Sequence, residues 1–223
     1  MPTINGTNDN DALLGSNVTD TINGKAGNDT LTGGDGNDKF VYNLGDGTDI
    51  ITDFGGIGKG VTPSAEVIAE VDTLKFEGNG FTAQNLLLTQ NGSNLEISFE
   101  RVVPDAKVIL QNFVLENLDN LSKSTGATVN LGNILFDGQT SISDIFDVFN
   151  ANSTQSTIFN KNTVTFLNDL NNNVNGFDNS DDVINGQGYS TGNNFSGGDG
   201  NDYLSVVGSY TTYGFVVLVA GYH

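Results

Sequence analysis

The sequence predicts an all-β protein, and three observations carry that expectation. Turn-forming residues are abundant: 29 Gly, 31 Asn and 21 Asp among 223 residues, the types that tolerate left-handed backbone. A nine-residue period recurs near the N-terminus, each period ending on a short apolar-centred triplet. Between the repeats, apolar and polar residues alternate with the period of a strand. The kind of acid agrees, because only 6 of the 27 acidic residues are Glu, and Asp serves turns and ligand positions where Glu serves helices.

The formal charge of −19, from 27 acidic against 8 basic residues, excludes a nucleic-acid binder of the ordinary basic kind. The chain still has a core to build, since Leu, Ile, Val and Phe number 65 of 223, well above the composition of a disordered acidic chain. With no cysteine, disulfides, thiolate zinc sites and cysteine nucleophiles are all excluded. The start, MPTINGTND, has no basic region followed by an apolar one. The longest apolar run, Phe215 to Ala220, is far too short to be a transmembrane segment.

Residues 6 to 41 divide without gaps into GTNDNDALL, GSNVTDTIN, GKAGNDTLT and GGDGNDKFV. Each has Asp sixth (Asp11, Asp20, Asp29, Asp38) and an apolar residue eighth (Leu13, Ile22, Leu31, Phe40). A nine of this kind reads as a six-residue turn followed by a three-residue strand with one inward side chain. Glycines at the first, second and fourth positions admit positive φ and carbonyl oxygens that a Cβ would block. If turns alternate between the two edges of a flattened coil, residues 18 apart stack, so Asp11 neighbours Asp29 and Asp20 neighbours Asp38. Paired carboxylates repel unless a cation lies between them, and carboxylates with turn carbonyls form the all-oxygen shell that hard Ca²⁺ selects.

A second run starts with FDNSDDVIN (177–185), passes through an irregular eleven, and closes with GGDGNDYLS (197–205). Here Asp182 and Asp202 take the sixth position. Their spacing of 20 is 18 plus the two residues inserted between them, which leaves this pair stacked. Asn193 stands where the opposite edge expects Asp, so fewer ions are expected in this run.

GGDGNDKFV and GGDGNDYLS resemble the GGxGxDxUx nonapeptide of the repeats-in-toxin, or hemolysin-type calcium-binding repeat, family. FVYNLGDGTDIITDF, after the first run, is similar to segments that end such arrays. The resemblance implies a parallel β-roll, a solenoid with Ca²⁺ in its turns. It also implies a secreted protein exported by a dedicated machinery that reads a C-terminal signal. Thr7 and Ser16 at second positions, and Asp9, Val18 and Ser180 at fourth positions, depart from the pattern and imply looser turns. Asp46, Asp49 and Asp53 fit either a further turn or the close of the roll. Asp35 and Asp199 read as solvated side chains.

Other chemistries find no support. An EF-hand at Asp178, Ser180 and Asp182 lacks its central Gly and meets Tyr189 where a bidentate Glu belongs. Gly55 to Gly60 contains Lys59 but is no phosphate loop. The one histidine, His223, is the last residue of the sequence, so histidine triads and HExxH zinc sites are excluded and no enzyme is expected.

Between the runs, Leu74 and Phe76, then Leu95, Ile97 and Phe99, mark amphipathic strands, and Asn91-Gly92 marks a hairpin. Val108 to Val114 reads as another strand. SISDIFDVFN (141–150) has helical apolar spacing in Ile142, Ile145, Phe146 and Phe149. The expected organisation is a first calcium-binding β-roll over 4–54, a β-rich spacer of antiparallel character over 55–135, and a mixed linker with a short helix over 136–176. The second, irregular array follows at 177–205, then an apolar tail at 206–223 that fits a cap, an export signal or a truncation edge. The function expected is calcium binding by a secreted repeat roll whose folding is driven by extracellular Ca²⁺. The alternative is a calcium-stabilised adhesive or surface-layer element that binds cells or carbohydrate through its middle β region.

Overall fold

A computed structural model of the chain describes residues 1–83, 86–99, 102, 107–144 and 146–150. It further describes, as backbone, the strands over 164–168, 173–175, 181–186, 194–196 and 203–206. The described chain is nearly all β, and its sheets are largely parallel.

The nonapeptides build two facing sheets in alternation. β1 (Thr3–Asn5), β3 (Thr21–Asn23) and β5 (Lys39–Asn43) form one side in parallel register, Ile4 beside Ile22 beside Phe40. β2 (Ala12–Leu14), β4 (Thr30–Thr32) and β6 (Thr48–Ile51) form the other, Leu13 beside Leu31 beside Ile51. A triplet strand has one side chain that points between the sheets, which is why a single apolar residue per nine suffices. Ile22, Leu31 and Phe40 are buried completely or nearly so, each burial contributing about 1.5–3 kcal/mol.

Neither sheet stops where the repeats stop. β7 (Thr73–Glu77) continues the first sheet in parallel beside β5, and a two-residue strand, Ile134–Leu135, follows it. In the second sheet the strand Lys107–Leu110 pairs in parallel with β6 and antiparallel with Asn94–Phe99, which pairs antiparallel with Leu86–Asn91. The last pair is the hairpin expected at Asn91-Gly92, with Gly92 at φ 59°. The core widens here into two sets of touching rings, Phe40, Phe54 and Phe113 in one and Tyr42, Phe76, Phe81, Phe99 and Phe136 in the other.

Three local expectations change. The strand expected over 108–114 ends at Leu110, and turn and 3-10 backbone follow. Phe146–Asn150, expected within a short helix, is a strand that pairs antiparallel with Asp119–Leu121 and parallel with Val164–Asn168. An i, i+3, i+4 pattern over so few residues also suits a strand, and partners on both sides decide the matter. The spacer expected to be β-rich over 55–135 also carries, among the described residues, a short α-helix, α1 (Ala65–Ala69), capped by Ser64. In the second repeat run Val183 lies beside Tyr203 in parallel strands, the 20-residue offset expected there. The tail beyond Val206 lies outside the described residues.

Candidate metal centre

The six-residue turns place their sixth-position aspartates in two columns, one along each edge of the roll. On one edge the Asp11 amide donates to Asp29 Oδ1 at 2.8 Å, and the Asp29 amide to Asp49 Oδ1 at 3.0 Å. On the other, the Asp20 amide donates to Asp38 Oδ1 at 2.7 Å, and the Asp38 amide to Asp72 Oδ1 at 2.7 Å. Asp11 is thus brought to Asp29, and Asp20 to Asp38. Asp182 lies in the strand Asp181–Gly186, its side chain outside the described residues, as is Asp202 altogether.

Two further members of the columns escape the nonapeptide register. Asp49 stands 20 residues after Asp29 because the chain makes a longer turn at Asn43 to Gly47, and β6 still pairs in register. Asp72 follows Asp38 by 34 residues, after an excursion through α1. The readable signal is the triplet Asp-x-apolar, present as Asp38-Lys39-Phe40, Asp49-Ile50-Ile51 and Asp72-Thr73-Leu74, each ending on a buried residue.

First-position glycines are needed for a reason other than positive φ. A Cβ on Gly15 would stand 2.0 Å from the Gly33 carbonyl oxygen of the stacked turn, so the close approach of two turns excludes any side chain. Positive φ is confined to second and fourth positions, as at Gly34 and Gly36. Lys25, also at a second position, takes φ 67° without being glycine, a conformation that costs strain.

The turns are of two kinds. In the first two, the second-position hydroxyl residue folds onto the aspartate: Thr7 donates to Asp11 Oδ2 from N at 2.6 Å and Oγ1 at 2.9 Å, and Ser16 to Asp20 Oδ2 from N at 2.6 Å and Oγ at 2.8 Å. These bonds hold the Asp11 carboxyl below its usual range, helped by Lys25. In the third and fourth turns no hydroxyl is present. Asp29 Oδ2 and Asp38 Oδ2 are buried without a hydrogen-bond partner, as is Asp20 Oδ1. Burial foremost, then neighbouring carboxylates, pushes Asp29 and Asp38 up. The same causes push Asp49 and Asp72 up to about 7.

A buried carboxylate oxygen without a donor is costly, and a cation removes that cost. The donor set therefore fits a hard divalent ion. Among the described residues no three carboxylate or imidazole side chains gather as a metal cluster, so a cation here would rest on one or two carboxylates together with backbone oxygens, a shell suited to Ca²⁺.

A flattened parallel roll with aspartate columns along its edges defines a class of calcium-binding repeat. Residues 14–49 match the family model of the RTX calcium-binding nonapeptide repeat, in four copies, and repeats of this family bind Ca²⁺. No curated protein matches the chain. Among solved structures, the chain is similar to the solution structure of the AlgE6R3 subunit from the Azotobacter vinelandii mannuronan C5-epimerase. That match has 21% identity, covers 63% of this chain and 94% of that one, and has a TM-score of 0.22. No helix among the described residues is long and apolar enough to cross a membrane.

Proposed function

We propose that the protein is a secreted, non-enzymatic calcium-folding module in which Asp11, Asp20, Asp29, Asp38, Asp182 and Asp202 are metal ligands and residues 4–54 and 177–205 are its ion-dependent parts. The observation that carries this reading is the pair of buried, partnerless oxygens on Asp29 and Asp38 within RTX-matched glycine turns. Acidic turns repel one another where Ca²⁺ is scarce, as in a cytosol. Outside, where extracellular modules bind Ca²⁺ at about 10⁻⁴ to 10⁻³ M, binding free energy becomes folding free energy. A chain that folds only on arrival suits an export machinery that handles unfolded polypeptide.

The test is a Ca²⁺ titration of the full chain followed by far-UV circular dichroism. Strand signal should grow over the millimolar range and disappear with chelator. A spectrum indifferent to both would overturn the reading. Asp29→Ala should lower the number of bound ions by calorimetry, and an unchanged stoichiometry would contradict the pairing of Asp29 with its column.

A further inference from the structure

We propose that the roll closes one edge with an additional divalent-cation site, formed between the last repeat turn (33–38) and the non-repeat strand β7, with Asp38 and Asp72 as its carboxylate ligands. The inference rests on the calcium reading above and extends it beyond the nonapeptides, since Asp72 lies outside residues 14–49.

Asp38 is 1% exposed, and its Oδ2 has no hydrogen-bond partner. That oxygen faces into its own turn, because a Cβ built on Gly33 would stand 2.3 Å from it. Asp72, 3% exposed, stands to Asp38 as Asp38 stands to Asp20: each accepts the preceding aspartate's amide on Oδ1 at 2.7 Å. Asp72 is held in place by the Gly55 amide on Oδ2 at 2.8 Å, and its own amide donates to the Gly55 carbonyl at 2.9 Å.

Two more acids position the turn. Asp53 accepts the Gly33 and Gly34 amides at 2.9 Å each, and Glu70 Oε2 accepts the Gly36 amide at 2.9 Å. With Asp72 on the Asp38 amide, four N–H groups of this turn are engaged by three carboxylates from outside the repeats. The carbonyl oxygens of the turn, apart from that of Asp38, which accepts from the Thr73 amide at 2.8 Å, are of the kind a Ca²⁺ shell uses beside carboxylates. The charged groups acting on Asp38 are Asp20, Asp53 and Glu70, and those acting on Asp72 are Asp38 and Asp53. All are acids, and so much negative charge at a buried turn calls for a cation. Asp53 and Glu70 are positioning residues in this arrangement.

The experiment counts bound Ca²⁺ on the full chain by native mass spectrometry and measures affinity by calorimetry. Asp72→Asn, which keeps the side chain's size and one acceptor oxygen, should carry one ion fewer than the parent. Asp53→Asn, at an exposed position, should keep the ion count and lose affinity about tenfold or more at one site, the usual scale for a group that orients metal ligands. Asp72→Asn with the parental ion count and affinity overturns the proposal. If Asp72→Asn does not fold, an unchanged isotherm for Asp53→Asn overturns it. Asp20→Asn separates the two readings, because it should lose an ion through the repeats alone. If it too is unchanged, the calcium reading of the repeats fails, whereas loss in Asp20→Asn with none in Asp72→Asn removes only the closing site.

Discussion

The second position of each nonapeptide decides what its aspartate can do. Thr7 and Ser16 occupy the Oδ2 atoms of Asp11 and Asp20 with two donors each, whereas in Asp29 and Asp38 it is Oδ2, the oxygen facing the turn, that is buried without a partner. Ser16→Gly should therefore tighten Ca²⁺ binding on its edge, by about tenfold or more, since a hydroxyl bond to a charged group is worth about 1.5–3 kcal/mol. Calorimetry would show this, and a weaker ion in Ser16→Gly would mean that the hydroxyl itself supports the site. At the eighth position, Phe40 is wholly buried against Phe54. Phe40→Ala should lower the Ca²⁺-loaded protein's stability by about 3–5 kcal/mol, read as a lower urea midpoint.

At the scale of elements, β5 shows how a repeat strand is converted into a core strand. It runs two residues past the triplet and adds Tyr42, whose hydroxyl donates to the Gly47 carbonyl at 2.6 Å and pins the longer turn that keeps Asp49 in its column. Burial foremost, then the nearby Asp49 and Asp46, pushes this phenol above its ordinary value. The folded state thus favours the neutral phenol: its contribution is complete below about pH 10, the unperturbed tyrosine value, and is lost as pH rises beyond it. In an alkaline absorbance titration one of the 6 tyrosines should ionise only as the protein unfolds, and Tyr42→Phe should remove that delayed step. Ionisation of all tyrosines together with the fold intact would refute the assignment. The strand Phe146–Asn150 teaches the opposite lesson, because its apolar spacing satisfied a helix and its neighbours on both sides made it a strand. A ten-residue window holds too few periods to separate 3.6 from 2 when several bulky residues are adjacent.

At the scale of the molecule, the roll and the middle region share both sheets. β7 and the strand Lys107–Leu110 each pair in parallel with a strand of the repeat segment, and Phe54, Phe76 and Phe113 belong to one core. Strands that use the roll as a template should fold with it. Hydrogen exchange with and without chelator should show residues 73–77 and 107–110 losing protection together with residues 21–51 when Ca²⁺ is removed. Protection that persists in the middle strands would mean that they fold independently. Asn133 ties the same regions together: its amide donates to the Gly55 and Asp72 carbonyls at 2.9 Å each and accepts from Ile57 and Asp119.

Sequence alone determined the fold class, the two stacked edges, and the pairings of Asp11 with Asp29 and Asp20 with Asp38, because a strict nine-residue period couples every local choice to the next turn. Only the tertiary structure decided that Asp49 and Asp72 continue those columns. Their spacings of 20 and 34 residues include loops of no fixed length, and chain length between two turns is invisible to a sheet that reads register alone. It likewise decided that Thr7 and Ser16 close on their aspartates, since a hydroxyl at the second position becomes a donor only once the turn has bent it toward the sixth. And it decided that the middle strands extend the roll: strand pairing is set by which sheet edge is free when the chain returns, a property of the folded neighbour and of no residue in the strand itself.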